Sequence, residues 1–264
     1  MQRIRREVGF VTHLIRLNLA SNMEYRASFL SQAIGMFINN GIYFVFWLLF
    51  FDKFKEIRGY GIEQIFLLFA IVTFGFGLAF TFAGNASRVA DLIAQGRLDY
   101  YLTLPRPVLP HLMFSRMDPF TMGDLTFGII AFLFTGRFDP ISILLFIACS
   151  LMVAVIFASF FAIIGCFAFL MGNAREWTRQ VTMSMTTFAI YPLGLFQGLI
   201  RVILFTLLPA AFVGAVPVEI VETRNIVLLG GLFAFASVSV LTLVIIFQWG
   251  LRRYESGSAI NVNM

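Results

Sequence analysis

The chain has 264 residues, 59% hydrophobic and 12% charged, with 33 phenylalanines and a mean hydropathy of +0.88. Soluble domains carry about 25% charged residues, so a water-soluble globule is excluded and an integral membrane protein is implied. The formal charge of +5 fits Arg and Lys flanking membrane spans on the cytoplasmic side; it does not point to nucleic acid, because no soluble segment interleaves basic and aromatic residues.

The N-terminal stretch 1–26, MQRIRREVGFVTHLIRLNLASNMEYR, has a basic start but no continuous apolar core and no small-residue cleavage site, so it does not read as a signal peptide. Ile4, Val8, Val11 and Ile15 recur at helical spacing, with Phe10, Leu14 and Leu17 beside them, while Arg3, Arg6, His13 and Arg16 fall mostly elsewhere on the wheel. The pattern predicts a helix lying in the membrane interface; a solvated amphipathic helix is the other reading of the same residues. Apolar runs follow at 27–51, 64–84, 119–136 and 141–171, and again at 225–249, judged against the ~20 residues that a crossing needs. Cys149 and Cys166 share the fourth run. In a helix they lie ~25 Å apart, too far to pair, and they read as small core residues.

Between the fourth and last runs, Val181 to Val218 is apolar but broken by Pro192, Pro209 and Pro217, with Arg201 in the middle. Prolines end or kink helices, and an Arg at the bilayer centre costs about 2.5–3.5 kcal/mol on insertion scales. The reading that fits is a crossing at 181–197 followed by a broken re-entrant hairpin at 198–218; two full crossings here would make seven in all. With six crossings and cytoplasmic termini, 13 of the 19 basic residues lie inside and 6 outside, as the positive-inside rule expects. A seventh would move Arg252 and Arg253 outside and weaken that asymmetry. The expected fold is therefore an all-α integral membrane protein of one domain, with six transmembrane helices.

The longest polar connection, 85–118, contains DLIAQGRLDYYLTLPRPVLP at 91–110. Val89, Leu92 and Ile93 lie on one face of a short helix, Gly96 stands where a C-terminal cap belongs, and Pro105, Pro107 and Pro110 force an extended course. Arg97, Leu98, Asp99, Tyr100 and Tyr101 are thereby carried below the membrane. Tyr and Arg are residue types that anchor interfaces; the other reading is a solvated loop with a frayed helix.

The order of parts, the GRLDYYLTLP stretch at 96–105 and the closing FQWGLRRYESGSA at 247–259 resemble the permease family of bacterial ABC transporters of the second exporter type, in its drug-exporter-like subgroup of uncharacterised permeases. The resemblance covers nearly the whole chain. It implies a subunit of the bacterial cytoplasmic membrane that exports an amphiphilic substrate such as a drug, lipid or glycan precursor. It also implies a second permease, copy or sibling, in contact with membrane lipid, and ABC ATPase partner subunits that hold the ATP and Mg. In that family the loop after the second span carries the coupling helix that docks on the ATPase. By carry-over Asp91 to Leu98 form it here, including Leu92, Gln95, Gly96 and Arg97, with Asp99 and Tyr100 following and Pro105 and Pro107 bracing it.

The sequence has no G-x-x-x-x-G-K-[ST] phosphate loop, so no ATPase of that kind is read in this chain, and it is not expected to be an enzyme. His13 and His111, in unrelated segments, make no metal site with the cysteines, and no cofactor is expected on this chain. Among polar residues inside spans, Asn39 and Asn40 suit helix-to-helix hydrogen bonds or a substrate path. Met183, Met185 and Thr187 suit adaptable ligand contacts or close packing. Gln197 and Arg201 either brace the hairpin tip or meet a passing substrate. Asp124 is an intramembrane acid, a functional candidate by type, yet close enough to the cytoplasmic end to pair with Arg116. The rival reading is a secondary transporter or channel without an ATPase, which needs midplane acids or inverted repeats; Asp124 is the one candidate acid and no repeat is visible.

Overall fold

The computed structural model describes residues 2–254, and side chains from residue 9 on. Ile4 and Val8 of the N-terminal apolar face, with Arg3 and Arg6, lie outside the described side chains, and residues 255–259 of the closing stretch lie outside the described residues. The described chain is helical, with no strand. Gln2–Glu24 (α1) precedes two long helices, Arg26–Lys53 (α2) and Ile62–Phe82 (α3). Short helices Val89–Ala94 (α4), Leu98–Leu102 (α5) and Val108–Phe114 (α6) make up the polar connection. Thr121–Leu133 (α7) and Pro140–Gly165 (α8) follow, and α8 runs on through Ala168–Met171 (α9). Then come Arg175–Ala189 (α10), Gly198–Thr206 (α11), Ala210–Val213 (α12), Ala215–Thr223 (α13) and Ile226–Leu251 (α14).

Four of these are long and apolar enough to cross a membrane: α2, α3, Pro140–Met171 and α14. The bent pair Gly198–Thr206 and Ala210–Thr223 makes a fifth if it is one broken span. Its limbs meet at 69°, where Pro209 follows the end of α11 and has no N–H to give to a continuing helix. The apolar run at 119–136 holds a helix of only 13 residues, ~20 Å long. The run at 181–197 is only partly helical: α10 begins earlier, at Arg175, and ends at Ala189, ahead of Pro192.

α3 is the hub. Ile65 to Val72 are all buried, as expected of a helix that is apolar on every side and enclosed by protein. It packs against α7, α8 and α13, while α14 lies on α8 and α2 on α7. The α2–α7 contact is a backbone contact. A Cβ on Gly123 would overlap the Ala33 carbonyl and come within 2.8 Å of the Phe37 nitrogen, so only glycine allows this approach. Gly123→Val is expected to force α2 away from α7 and cost about 1–3 kcal/mol, read as a lowered unfolding midpoint of the purified protein in detergent. Phe44, from α2, reinforces the same joint by stacking on Phe66 at 4.7 Å and meeting Phe127 edge-on at 5.6 Å.

Candidate functional site

Two places bring the chemistry-bearing residues together. The first is the polar connection after α3. Its ends are tied to each other: the Gly84 N–H donates to the Arg116 carbonyl at 3.0 Å and the Asp118 N–H to the Phe80 carbonyl at 3.2 Å. Inside the tie, the buried Asn85 amide donates to the Leu112 carbonyl at 2.9 Å and to Ser115 Oγ at 2.8 Å, and Ser115 Oγ lies 2.8 Å from the Tyr101 hydroxyl. Asp118 sits between Arg88 at 3.6 Å and Arg116 at 3.4 Å. Burial nonetheless raises its carboxyl above the ordinary range, outweighing the pull of both guanidiniums.

The helix read at 91–98 is interrupted. α4 ends at Ala94, and Gly96 takes a left-handed φ of +68°. The Arg97 N–H returns to the Leu92 carbonyl at 3.0 Å and the Gly96 N–H to the Ile93 carbonyl at 3.1 Å, the paired bonds of a Schellman cap. Arg97 then caps α5, which carries Leu98, Asp99 and Tyr100. The expected docking residues thus divide by face. Leu92 and Leu98 point inward, Leu98 with 0% exposure, and hold the turn against the protein. Gln95, Arg97 and Tyr100 are exposed, and Asp91, Gly96 and Asp99 are partly so. Nor is the course after Pro105 extended throughout. Pro107 precedes α6 and Pro110 lies in its first turn, where the missing N–H has no partner to lose.

The loop is fastened to three other parts of the chain. Asp91 Oδ1 meets Arg175 Nε at 2.6 Å, joining the loop to the start of α10. Beyond α14, burial first and then the neighbouring Asp99 carboxylate push the Tyr254 hydroxyl up to about 12, and the Tyr254 ring meets Phe169 at 6.0 Å. The GRLDYY and WGLRRY stretches, far apart in sequence, therefore come together. From the other side, Phe10 of α1 meets the His111 ring edge-on at 5.0 Å beneath the Arg106 guanidinium at 4.6 Å, and Asn18 donates to the Phe114 carbonyl at 3.0 Å. Burial, helped by Arg106, lowers the His111 imidazole below its usual range. Arg175 and Tyr254 were not singled out by the sequence reading. The signal in the sequence is the first Arg of REWTRQ and the Tyr of the closing stretch, but neither names its partner.

The second place is a cleft of about 450 Å³ between α2, α3, α7, α8 and α10. Four residues expected on a substrate path line it: Asn39, Asn40, Met183 and Thr187. Three others do not. Met185 is wholly buried in the core, and Gln197 and Arg201 are exposed at and near the start of α11, outside the cleft lining. Asp124 also lines the cleft, and its partner is not Arg116, which turns to Asp118. Instead the Asn40 amide donates to Asp124 Oδ1 at 2.7 Å. The Gly123 contact makes this pairing possible by bringing the two helices close enough for short side chains to meet. Thr73, Thr182 and Thr186 complete the polar lining.

Neither the curated proteins nor the solved structures contain a match to the chain. The family described as ABC-2 family transporter protein matches residues 37–258, a range that takes in the loop and all of the cleft lining but Met36. The chain therefore belongs to the ABC-2 transporter family, as a multi-pass membrane component of the permease type, whose members generally work with separate ABC ATPase subunits.

Proposed function

We propose that the chain is the transmembrane permease subunit of an ATP-driven exporter in the bacterial cytoplasmic membrane, of the drug-exporter-like subgroup, moving an amphiphilic substrate outward. In this reading six helices cross the bilayer with both termini cytoplasmic. The shorter α7 and α10 make the third and fifth crossings with the residues that flank them, and 198–218 re-enters from outside. The charge asymmetry of 13 inside to 6 outside supports that orientation. A second permease, identical or sibling, faces the cleft side, lipid surrounds the pair, and ATP and Mg sit on the partner ATPases.

The observation that carries the reading is the Gly96 turn. It has a buried apolar base at Leu92 and Leu98, an exposed crown of Gln95, Arg97 and Tyr100, and ties at Asp91 to α10 and at Asp99 to Tyr254, while the loop that carries it is fastened farther on to α1. A pre-ordered turn presenting Arg and Tyr is suited to docking, because little conformational entropy remains to be lost on binding. The test uses the affinity-tagged full chain co-expressed with the ABC ATPase subunit of its own transporter. The combination Arg97→Glu and Tyr100→Ala is expected to reduce ATPase recovery at least about tenfold while changing stability by no more than about 0.5 kcal/mol, since both side chains are exposed. Undiminished recovery overturns the assignment. One observation favours the second reading, an ATP-independent transporter: Asp124 is an acid in a membrane cleft. Proteoliposomes separate the two, since export that proceeds on an ion gradient with neither ATPase nor nucleotide present belongs to the second reading alone.

A further inference from the structure

We infer that the cleft is a binding site for an organic cation, an apolar or aromatic body carrying a protonated amine, with Asp124 as the group that receives the ammonium. As a statement about substrate this rests on the permease reading above; as a statement about binding it does not. The cleft, about 450 Å³, falls within the roughly 300–1,000 Å³ of small-molecule sites. Its walls are largely apolar and aromatic, with Tyr43, Phe69, Phe76 and Phe161 among them and Met36 and Met183 as adaptable thioethers. Such walls suit a hydrophobic body, and aromatic faces attract cations.

The polar lining carries the argument further, because it gives Asp124 one donor and no cation. Asp124 is 2% exposed; one carboxyl oxygen takes the Asn40 amide, and the other, Oδ2, has no donor at all. Three of the four lining threonines do not supply one. Thr73 donates to the Phe69 carbonyl at 2.7 Å, Thr182 to the Thr178 carbonyl at 2.9 Å and Thr186 to the Thr182 carbonyl at 2.9 Å. Each of these three hydroxyl protons is thus committed to its own helix, and the oxygen remains an acceptor. Among the described residues, no Lys, Arg or His lines the cleft. A carboxylate in such surroundings has neither a counter-charge nor a full set of hydrogen bonds, which is costly. A ligand ammonium brings both, since it is all donor and carries the missing charge. An anionic headgroup would meet Asp124 with nothing to offset it. A neutral polyol would satisfy Oδ2 but not the charge, so the ammonium is the better match.

The probe pair is dansylcadaverine, an aromatic body with a primary ammonium, and its N-acetyl derivative, the same body without the charge. Both are titrated by fluorescence into the purified full chain in a non-ionic detergent. The wild-type protein is expected to bind the amine at least about tenfold more tightly, a difference of ~1.4 kcal/mol. Asp124→Asn preserves shape and can still pair with Asn40, and is expected to bind the two probes equally. Thr187→Trp fills the cleft from an exposed position on α10 and is expected to weaken both probes at least about tenfold. Equal or absent binding of the two probes by wild type overturns the inference, as does an amine preference that survives Asp124→Asn, or full binding by Thr187→Trp. The wild-type and Thr187→Trp arms decide whether the cleft prefers the cation even if Asp124→Asn does not purify, and Asp124→Ser, which also removes the charge, then tests the acceptor by the same loss of preference. No ATPase is present in this assay, so its failure is separate from loss of the partner in the recovery experiment.

Discussion

Leu98→Asp is expected to unfold the polar loop at 85–118 locally, at a cost of about 4 kcal/mol or more. Leu98 has no exposed surface and sits beneath the Gly96 turn, with Leu92, Ile93 and Tyr101 also buried around it. The substitution removes an apolar side chain from a packed site and puts a carboxylate there. The check is limited proteolysis of the full chain in detergent: new cleavage within 85–118 is expected, with the helices around it intact. ATPase recovery falls as well, but for a different reason than in Arg97→Glu with Tyr100→Ala, where the loop stays protected. A loop as resistant as wild type that still recovers the ATPase would show that Leu98 does not hold the turn.

Gly96→Pro is expected to cost about 3 kcal/mol or more, whereas Gly96→Ala costs only about 1. At a φ of +68° proline cannot follow the backbone, since its ring fixes φ near −65°. It also deletes the N–H that donates to Ile93 and displaces the Arg97 N–H from Leu92, so both bonds of the cap are lost together. Alanine keeps the donors and pays only the left-handed penalty. The unfolding midpoints of the two variants should therefore separate clearly; a proline variant no less stable than the alanine one would mean that the turn can end in some other way.

What could be read beforehand follows the range of the signals. The apolar runs that coincide with α2, α3, Pro140–Met171 and α14 need only composition. The stop at Gly96 needs only glycine's tolerance of positive φ. The break after α11 needs only Pro209. The fifth run was harder, because apolarity and helicity part company there: α10 starts in the charged REWTRQ turn and stops before Pro192, so a hydropathy boundary marks neither end. Which of Leu92, Gln95, Arg97, Leu98 and Tyr100 face inward depends on what covers them, and α8, α9 and α10, which pack against α4, arrive much later in the chain. The Asn40–Asp124 bond spans 84 positions. Its residues are individually conspicuous, but the glycine contact that joins them leaves no mark in the spacing. Arg116 was the nearer and more obvious partner, and Asp118, two residues away, took it.

The ion pair between Asp91 and Arg175 has a mechanical consequence. Arg175 is the first residue of α10, and α10 runs unbroken to Ala189. Thr182, Met183, Thr186 and Thr187, farther along the same rod, form one wall of the cleft. From Arg175 to Thr187 is about 18 Å at 1.5 Å per residue. A helix that length bends little, so it works as a lever arm: a tilt applied at its Arg175 end sweeps the wall that faces Asp124.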